Sequence, residues 1–232
     1  MTGSREMQKR ESTLREYFEA LLIAVIFLGF TNGFLVKTFY IPSASMEDTL
    51  LIGDHLFVNR FIYGSTVWGW EEKLLPLRPV DRGDIVIFKS PQRPMVDMVK
   101  RCVGLPEDEI RMVDKDLYIN GNWIEDSTYT VHRDDERAHG TLQRDNFGPY
   151  SVPEDGYFCL GDNRDQSYDS RFWGPVPEHF VKGRALLVYW SFGGETPDGT
   201  WPGLTAKIQQ LARTAAGFIS HTRWKRTLHL IR

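Results

Sequence analysis

From Ala20 to Val36 the chain carries no charge, reading ALLIAVIFLGFTNGFLV. No other stretch restricts the fold as strongly, because an apolar run of this length has to leave water as a unit. Tyr17 and Phe18 flank it on one side and Phe39 and Tyr40 on the other. The apolar length therefore reaches the ~20 residues of a bilayer crossing, with aromatic pairs at the depth of a membrane interface. Two rival readings fit less well. A cleaved leader has a shorter apolar core and a small-x-small exit, whereas Lys37 and two aromatics follow here. A core helix shows a polar face, and only Thr31 and Asn32 are polar. The run predicts a transmembrane helix over 20–38, behind a charged tail over 1–19. Arg5, Lys9, Arg10 and Arg15 precede the run and only Lys37 follows closely. Orientation follows Lys and Arg counts, so the amino terminus is expected in the cytoplasm and the rest of the chain on the extracytoplasmic face of the cell membrane.

Beyond Leu50 the apolar pattern changes period. Alternating or β-branched runs begin at Asp54, Ile85, Met95, Leu117, Gly156 and Gly183. They are short and are closed by Gly, Pro, Asn and Asp, which reads as strands and turns. Leu117 to Ile124 carries a hairpin signal, with Asn120-Gly121 or Gly121-Asn122 at the turn. With no long helical period between them, the expectation is a mainly β, extracytoplasmic domain over 39–202, in which the polar stretch 125–150 is an exposed excursion. Leu204, Ile208, Leu211, Ala215 and Phe218 recur at helical spacing, so a basic amphipathic helix is expected over 203–232, against the β-body or on a membrane surface. The formal net charge of −3 argues against a nucleic-acid partner. Two cysteines, Cys102 and Cys159, are too few for a disulfide scaffold and match no zinc spacing. They read as buried thiols, with one disulfide open to them outside the cytoplasm.

Between the apolar run and the β-domain lies Ile41-Pro-Ser-Ala-Ser-Met-Glu-Asp-Thr-Leu50. Its serines are either helix caps or a nucleophile beside a membrane. A serine nucleophile needs a base to take its proton. The six histidines, His55, His132, His139, His179, His221 and His229, sit in no stretch that resembles a catalytic turn. A lysine serves if desolvation makes it neutral. Lys100, after Met98-Val99 and before Arg101-Cys102-Val103, shares a strand face with Met98 and Cys102.

These blocks carry a resemblance. Pro42-Ser-Ala-Ser-Met, Gly53-Asp54 with Phe61-Ile-Tyr-Gly, Arg82-Gly-Asp-Ile-Val-Ile-Phe, Val99-Lys-Arg-Cys-Val-Gly-Leu-Pro and Gly161-Asp-Asn-Arg-Asp-Gln-Ser-Tyr-Asp-Ser-Arg-Phe-Trp-Gly follow one another behind an apolar run. In this order they resemble the bacterial type I signal peptidases, membrane-bound Ser–Lys endopeptidases with a β-barrel-like catalytic domain. The resemblance implies Ser45 as nucleophile, Lys100 as general base, Ser43 as an oxyanion donor and Ser167 as the residue that orients Lys100. It implies Asp162 with Arg101, and Asp169 with Arg171, as structural ion pairs. Phe39, Ile41, Ile87 and Val99 match the apolar positions that line the sites for small residues before the cleaved bond (Ala-x-Ala). The implied partners are signal peptides of secreted preproteins and membrane lipid, and no cofactor is called for. Asp48 stands where the family usually has proline, Glu107 where glycine is usual, and Cys102 where an aliphatic residue is common. A soluble Ser–Lys hydrolase of the self-cleaving repressor type and a non-enzymatic, membrane-tethered β-domain are the alternatives, and the apolar run opposes the first.

Overall fold

The computed structural model describes residues 15–26, 36–63, 77–133, 143–194 and 217–231. Twelve strands dominate these segments: β1 (Val36–Tyr40), β2 (Asp54–Asn59), β3 (Ile85–Lys89), β4 (Asp97–Gly104), β5 (Glu109–Val113) and β6 (Asp116–Ile119) come first. They are followed by β7 (Asn122–Trp123), β8 (Phe147–Ser151), β9 (Gly156–Leu160), β10 (Val176–Pro177), β11 (Val181–Ser191) and β12 (His229–Leu230). The mainly β expectation holds.

The larger sheet runs β1-β2-β11-β3-β4-β9-β10, with β12 added to β11. Its pairings are antiparallel. β11 pairs with both β2 and β3, and its register shifts between Val181 and Gly183, between Ala185 and Leu187, and between Val188 and Trp190. Such bulges bend a strand and sharpen its twist, which curls the sheet without closing it. A smaller sheet, β7-β6-β5-β8, branches from the end of β4. Asn120 (φ 53°) and Gly121 (φ 77°) make its β6–β7 turn, the paired positive φ that a two-residue hairpin requires.

One apolar cluster positions the site. Ile41, Met46, Leu50, Leu56, Val58, Ile85, Ile87, Ala185, Val188 and Ile231 are buried together, with Phe39 and Val99 packed against them. Each of these side chains larger than Ala185 contributes about 1.5–3 kcal/mol by burial, and Leu56→Ala costs about 2–5 kcal/mol through the cavity it leaves. Val86, Phe88, Cys102, Tyr157, Cys159 and Val176 belong to a second cluster, joined by Met98. The shared face of Met98 and Cys102 is thus apolar, as the sequence predicts.

Three expectations change. The transmembrane helix over 20–38 ends too late, because Val36–Tyr40 is strand β1, paired with β2 from Val36↔Asn59 to Tyr40↔His55. Val, Thr, Phe and Tyr favour a pleated surface, and pairing with β2 satisfies this backbone without a helix. Residues 15–26 are helical, 27–35 lie outside the described residues, and among the described residues no helix is long and apolar enough to cross a membrane. The stretch 125–150 is not wholly an excursion, since β8 pairs its end with β5 through Ile110↔Tyr150 and Met112↔Phe147. At the other end of the chain, 204–216 lie outside the described residues and 217–221 are helical. The remainder is a 3₁₀ turn (Trp224–Arg226) and β12, so the helix expected over 203–232 does not continue through them. Cys102 and Cys159 are free, buried thiols directly opposed across β4 and β9.

Candidate active site

Ser45 lies in a 3₁₀ turn, Ala44–Met46, between β1 and β2. Met46 and Leu50 anchor this turn in the core, and the Leu50 N–H donates to the Met46 carbonyl at 2.7 Å. Ser43 occupies the N-cap position with extended backbone but makes no side-chain cap bond. The capping role open to it is unused, and its Oγ lies 3.5 Å from Ser45 Oγ. From the opposite side, the Asn163 N–H donates to the Ser45 carbonyl at 3.2 Å and Asn163 Nδ2 donates to the Ala44 carbonyl at 3.2 Å. Gly161 permits this approach. A Cβ there would stand 2.2 Å from Ser167 Oγ and 2.4 Å from the Ser45 carbonyl oxygen, so no larger residue fits.

Lys100 sits on β4 opposite Val86 of β3 and is 3% exposed. Its Nζ donates to Ser45 Oγ at 2.5 Å. Burial pushes the ammonium pKa down from 10.5 to about 8, against the opposing pull of Asp169 and Asp162. Desolvation penalises the charged form, so Lys100 gives up its proton far more readily than a surface lysine. Once neutral, the amine accepts from the serine hydroxyl along the same line. Among the described histidines, none hydrogen-bonds to Ser45, whose hydroxyl contacts run to Ser43 and Lys100.

The two expected ion pairs form. Arg101 donates from Nε to Asp162 Oδ1 at 2.8 Å and from Nη2 to Oδ2 at 2.7 Å, under the Tyr129 ring at 4.1 Å. Arg171 grips Asp169 in the same forked way, at 2.8 Å on both oxygens. Burial alone would raise the Asp169 pKa, but Arg171, with lesser help from the nearby Ser167 hydroxyl and the Gly161 N–H, outweighs it and holds the carboxyl below its ordinary value. Ser167 is buried beside Gly161, yet its Oγ has no hydrogen-bond partner of ordinary geometry. The bond to Lys100 that the resemblance implies is therefore not formed here. Phe39, Ile41, Ile87 and Val99 come together in one cluster. Ile41 and Ile87 are buried in it, and Phe39 and Val99 are partly exposed at its edge.

A family model described as signal peptidase, peptidase S26, matches residues 14–190. The chain belongs to this family. As a signal peptidase family member it is a serine peptidase, a hydrolase. The signal peptidase I of Pseudomonas aeruginosa is 32% identical over 216 residues, spanning 81% of this chain and 76% of that one. The signal peptidase I of Bacillus licheniformis is 35% identical over 193 residues, spanning 83% and 96%. A crystal structure of a signal peptidase I from Enterococcus faecalis is 34% identical, covering 46% of this chain and 97% of that chain with a TM-score of 0.38.

Within this family the two departures at turns now have a geometry. Asp48 has φ 76° and Glu107 φ 68°. Proline holds φ near −65° and could not take the backbone found at Asp48, so the Ser45 turn leaves by a different route than a proline would give. At Glu107 a side chain occupies a left-handed position that glycine takes without strain. Sequence reading missed Thr49, whose Oγ1 donates to Asp162 Oδ2 at 2.6 Å and so ties the Ser45 turn to the Arg101 pair. It also missed Asn163 and Gly161. Their only signal was membership of the block from Gly161 to Gly174.

Proposed function

We propose that this signal peptidase cleaves N-terminal signal peptides from exported preproteins after small residues at −3 and −1, with Ser45 as nucleophile and Lys100 as general base. The short Lys100–Ser45 contact, made by a buried lysine whose proton is loosely held, carries this reading. Neutral Lys100 takes the Ser45 proton as Oγ attacks the scissile carbonyl. The tetrahedral oxyanion is met by the Ser43 hydroxyl and the Ser45 N–H, fixed donors of a kind worth roughly 2.7–4 kcal/mol each in serine proteases. Protonated Lys100 returns its proton to the departing amine, leaving an acyl-enzyme on Ser45. Water then attacks the ester, losing a proton to Lys100, and the signal peptide leaves as an acid while Ser45 regains its hydrogen.

The sheet supplies a place for the substrate. Among the described residues β1 pairs on one side only, with β2, and residues 97–99 of β4 pair with β3 while the β9 pairing begins at Arg101. An extended peptide can add to such an open edge. Phe39 and Val99 would then meet its small side chains over a floor of Ile41 and Ile87. The apolar run before β1 supports a single-pass anchor ending before Val36, with the charged tail cytoplasmic and the catalytic domain outside. That placement would hold Ser45 within a few residues of the membrane surface, where signal peptides emerge.

The test is cleavage of an exported precursor by the full chain. Ser45→Ala and Lys100→Ala are each expected to abolish it, and His179→Ala to leave it unchanged. Near-normal cleavage by Lys100→Ala would sink the Ser–Lys mechanism.

A further inference from the structure

The family match ends at residue 190, yet the chain after it returns to the site. Arg226 Nη2 donates to the Thr49 carbonyl at 2.8 Å and to Asp54 Oδ2 at 2.7 Å. Arg223 Nη1 donates to the Ile52 carbonyl at 3.0 Å. Asp54 is wholly buried and also accepts from Ser191 Oγ at 2.6 Å and from the Leu51 N–H at 2.9 Å. A carboxylate buried this deeply requires a paired cation, and Arg226 supplies the close one, with Arg223 Nη1 more distant at 3.9 Å from Oδ1. Beyond Arg226 the chain pairs as β12 with β11 through Leu187↔Leu230, and Ile231 packs into the cluster that holds Ile41, Met46 and Leu50.

We propose that residues 222–231 are a strap that positions the Ser45 turn, with Arg226 as its principal positioning residue. This rests on the assignment of Ser45 and Lys100 above. Thr49 is the link. Its carbonyl is held by Arg226 from the strap side, while its hydroxyl is held by Asp162, which also grips Arg101, the neighbour of Lys100. The segment that carries Ser45 is thus clamped between the strap and the strand that carries the base. Releasing the strap side leaves the turn free to drift relative to Lys100. Displacements of about 1 Å can cost on the order of 100-fold in rate.

The experiment measures kcat and KM for a precursor peptide with wild type, Arg226→Ala, Arg226→Lys and Ser45→Ala full-length enzyme, below the thermal midpoint of each. Arg226→Ala is expected to lower kcat about tenfold with KM within about twofold, the pattern of misplaced catalytic groups rather than lost binding. Arg226→Lys should recover part of the loss, because its ammonium keeps the charge and can donate to the two acceptors that Nη2 reaches, but from a flexible stem in place of a rigid planar group. Labelling of Ser45 by a serine-directed acylating inhibitor should slow in parallel. A folded Arg226→Ala enzyme with wild-type kcat would overturn the strap. Should Arg226→Ala fail to fold, Arg226→Gln is read the same way, and an unchanged kcat there has the same consequence. Ser45→Ala separates the two claims. If it still cleaves, the nucleophile assignment fails; if it is inert while Arg226→Ala is normal, only the strap fails.

Discussion

Lys100 Nζ stands 2.5 Å from Ser45 Oγ across 55 positions of sequence. β4 delivers the amine to this point and the core keeps water from it. Burial brings its pKa down to about 8, and only the neutral amine can accept the serine proton. For the proposed mechanism kcat/KM should therefore rise about tenfold per pH unit through the mildly acidic range and level off above about 8. A pH series with a peptide substrate checks this, and a flat profile from mildly acidic to mildly basic conditions would count against a lysine base.

The same burial is a cost to the fold. The folded-state pKa of Lys100 lies below its ordinary 10.5, so the unfolded chain binds the proton more tightly. The penalty is complete below about pH 8 and is relieved as pH rises from there towards 10.5. At full strength it is of order 3 kcal/mol. Lys100→Met should be inactive yet more stable than wild type at neutral pH, with the difference shrinking in alkaline buffer. Denaturant unfolding at two pH values measures it, and equal stability at neutral pH would mean the amine is not desolvated.

Glu107 and Asp48 both hold positive φ but should respond differently. Glu107 is exposed, and left-handed backbone costs a residue with a Cβ roughly 1–2 kcal/mol. After the greater freedom of glycine in the unfolded chain is set against this, Glu107→Gly should raise the thermal midpoint by about 2 °C without altering activity. Asp48→Pro, by contrast, forces the ring's φ onto the turn that carries Ser45 and should lower both stability and cleavage. Calorimetry and a precursor assay on the two variants decide the matter.

Much of this was legible in the chain. A roughly alternating run marked β2, short apolar runs closed by turn residues marked β3, β9 and β11, and Asn120-Gly121-Asn122 marked the β6–β7 hairpin without fixing which pair makes its turn. The solitary lysine among Met98, Val99, Cys102 and Val103 was a weak signal alone, and the family resemblance made Lys100 the proposed base. β1 was hidden because Val36–Tyr40 overlaps the end of the apolar run and the aromatic pair that flanks it, and hydrophobicity alone does not separate the end of a helix from the start of a strand. β5 was passed over although Glu109 to Val113 alternates exposed and buried residues. The role of Arg226 left no local trace, since it depends on Asp54, which is 172 positions away. The missing Ser167–Lys100 bond is of the same kind: residue identity brings the hydroxyl to the site but does not set its orientation.

Gly161 offers the most direct test of how closely the last block must approach the proposed nucleophile, Ser45. An added Cβ would stand 2.4 Å from the Ser45 carbonyl oxygen and 2.6 Å from Ser167 Cβ, besides 2.2 Å from Ser167 Oγ. The Ser45 carbonyl is backbone and is held by the Asn163 N–H, so it cannot rotate away as a side chain would. Either the Ser45 turn or the loop from Gly161 to Ser167 must move. Gly161→Ala should therefore lower cleavage about 100-fold or more, while β9 and the cores behind it keep unfolding cooperative. Ser167→Ala alone should cost little stability, because the hydroxyl it removes makes no hydrogen bond of ordinary geometry and only assists Arg171 in holding the Asp169 carboxylate. In the double variant the Oγ contact is gone but the Ser45 oxygen and Ser167 Cβ remain in the way, so activity should not return. Recovery of cleavage by the double variant would show that Ser167, not the Ser45 backbone, is what requires glycine at 161.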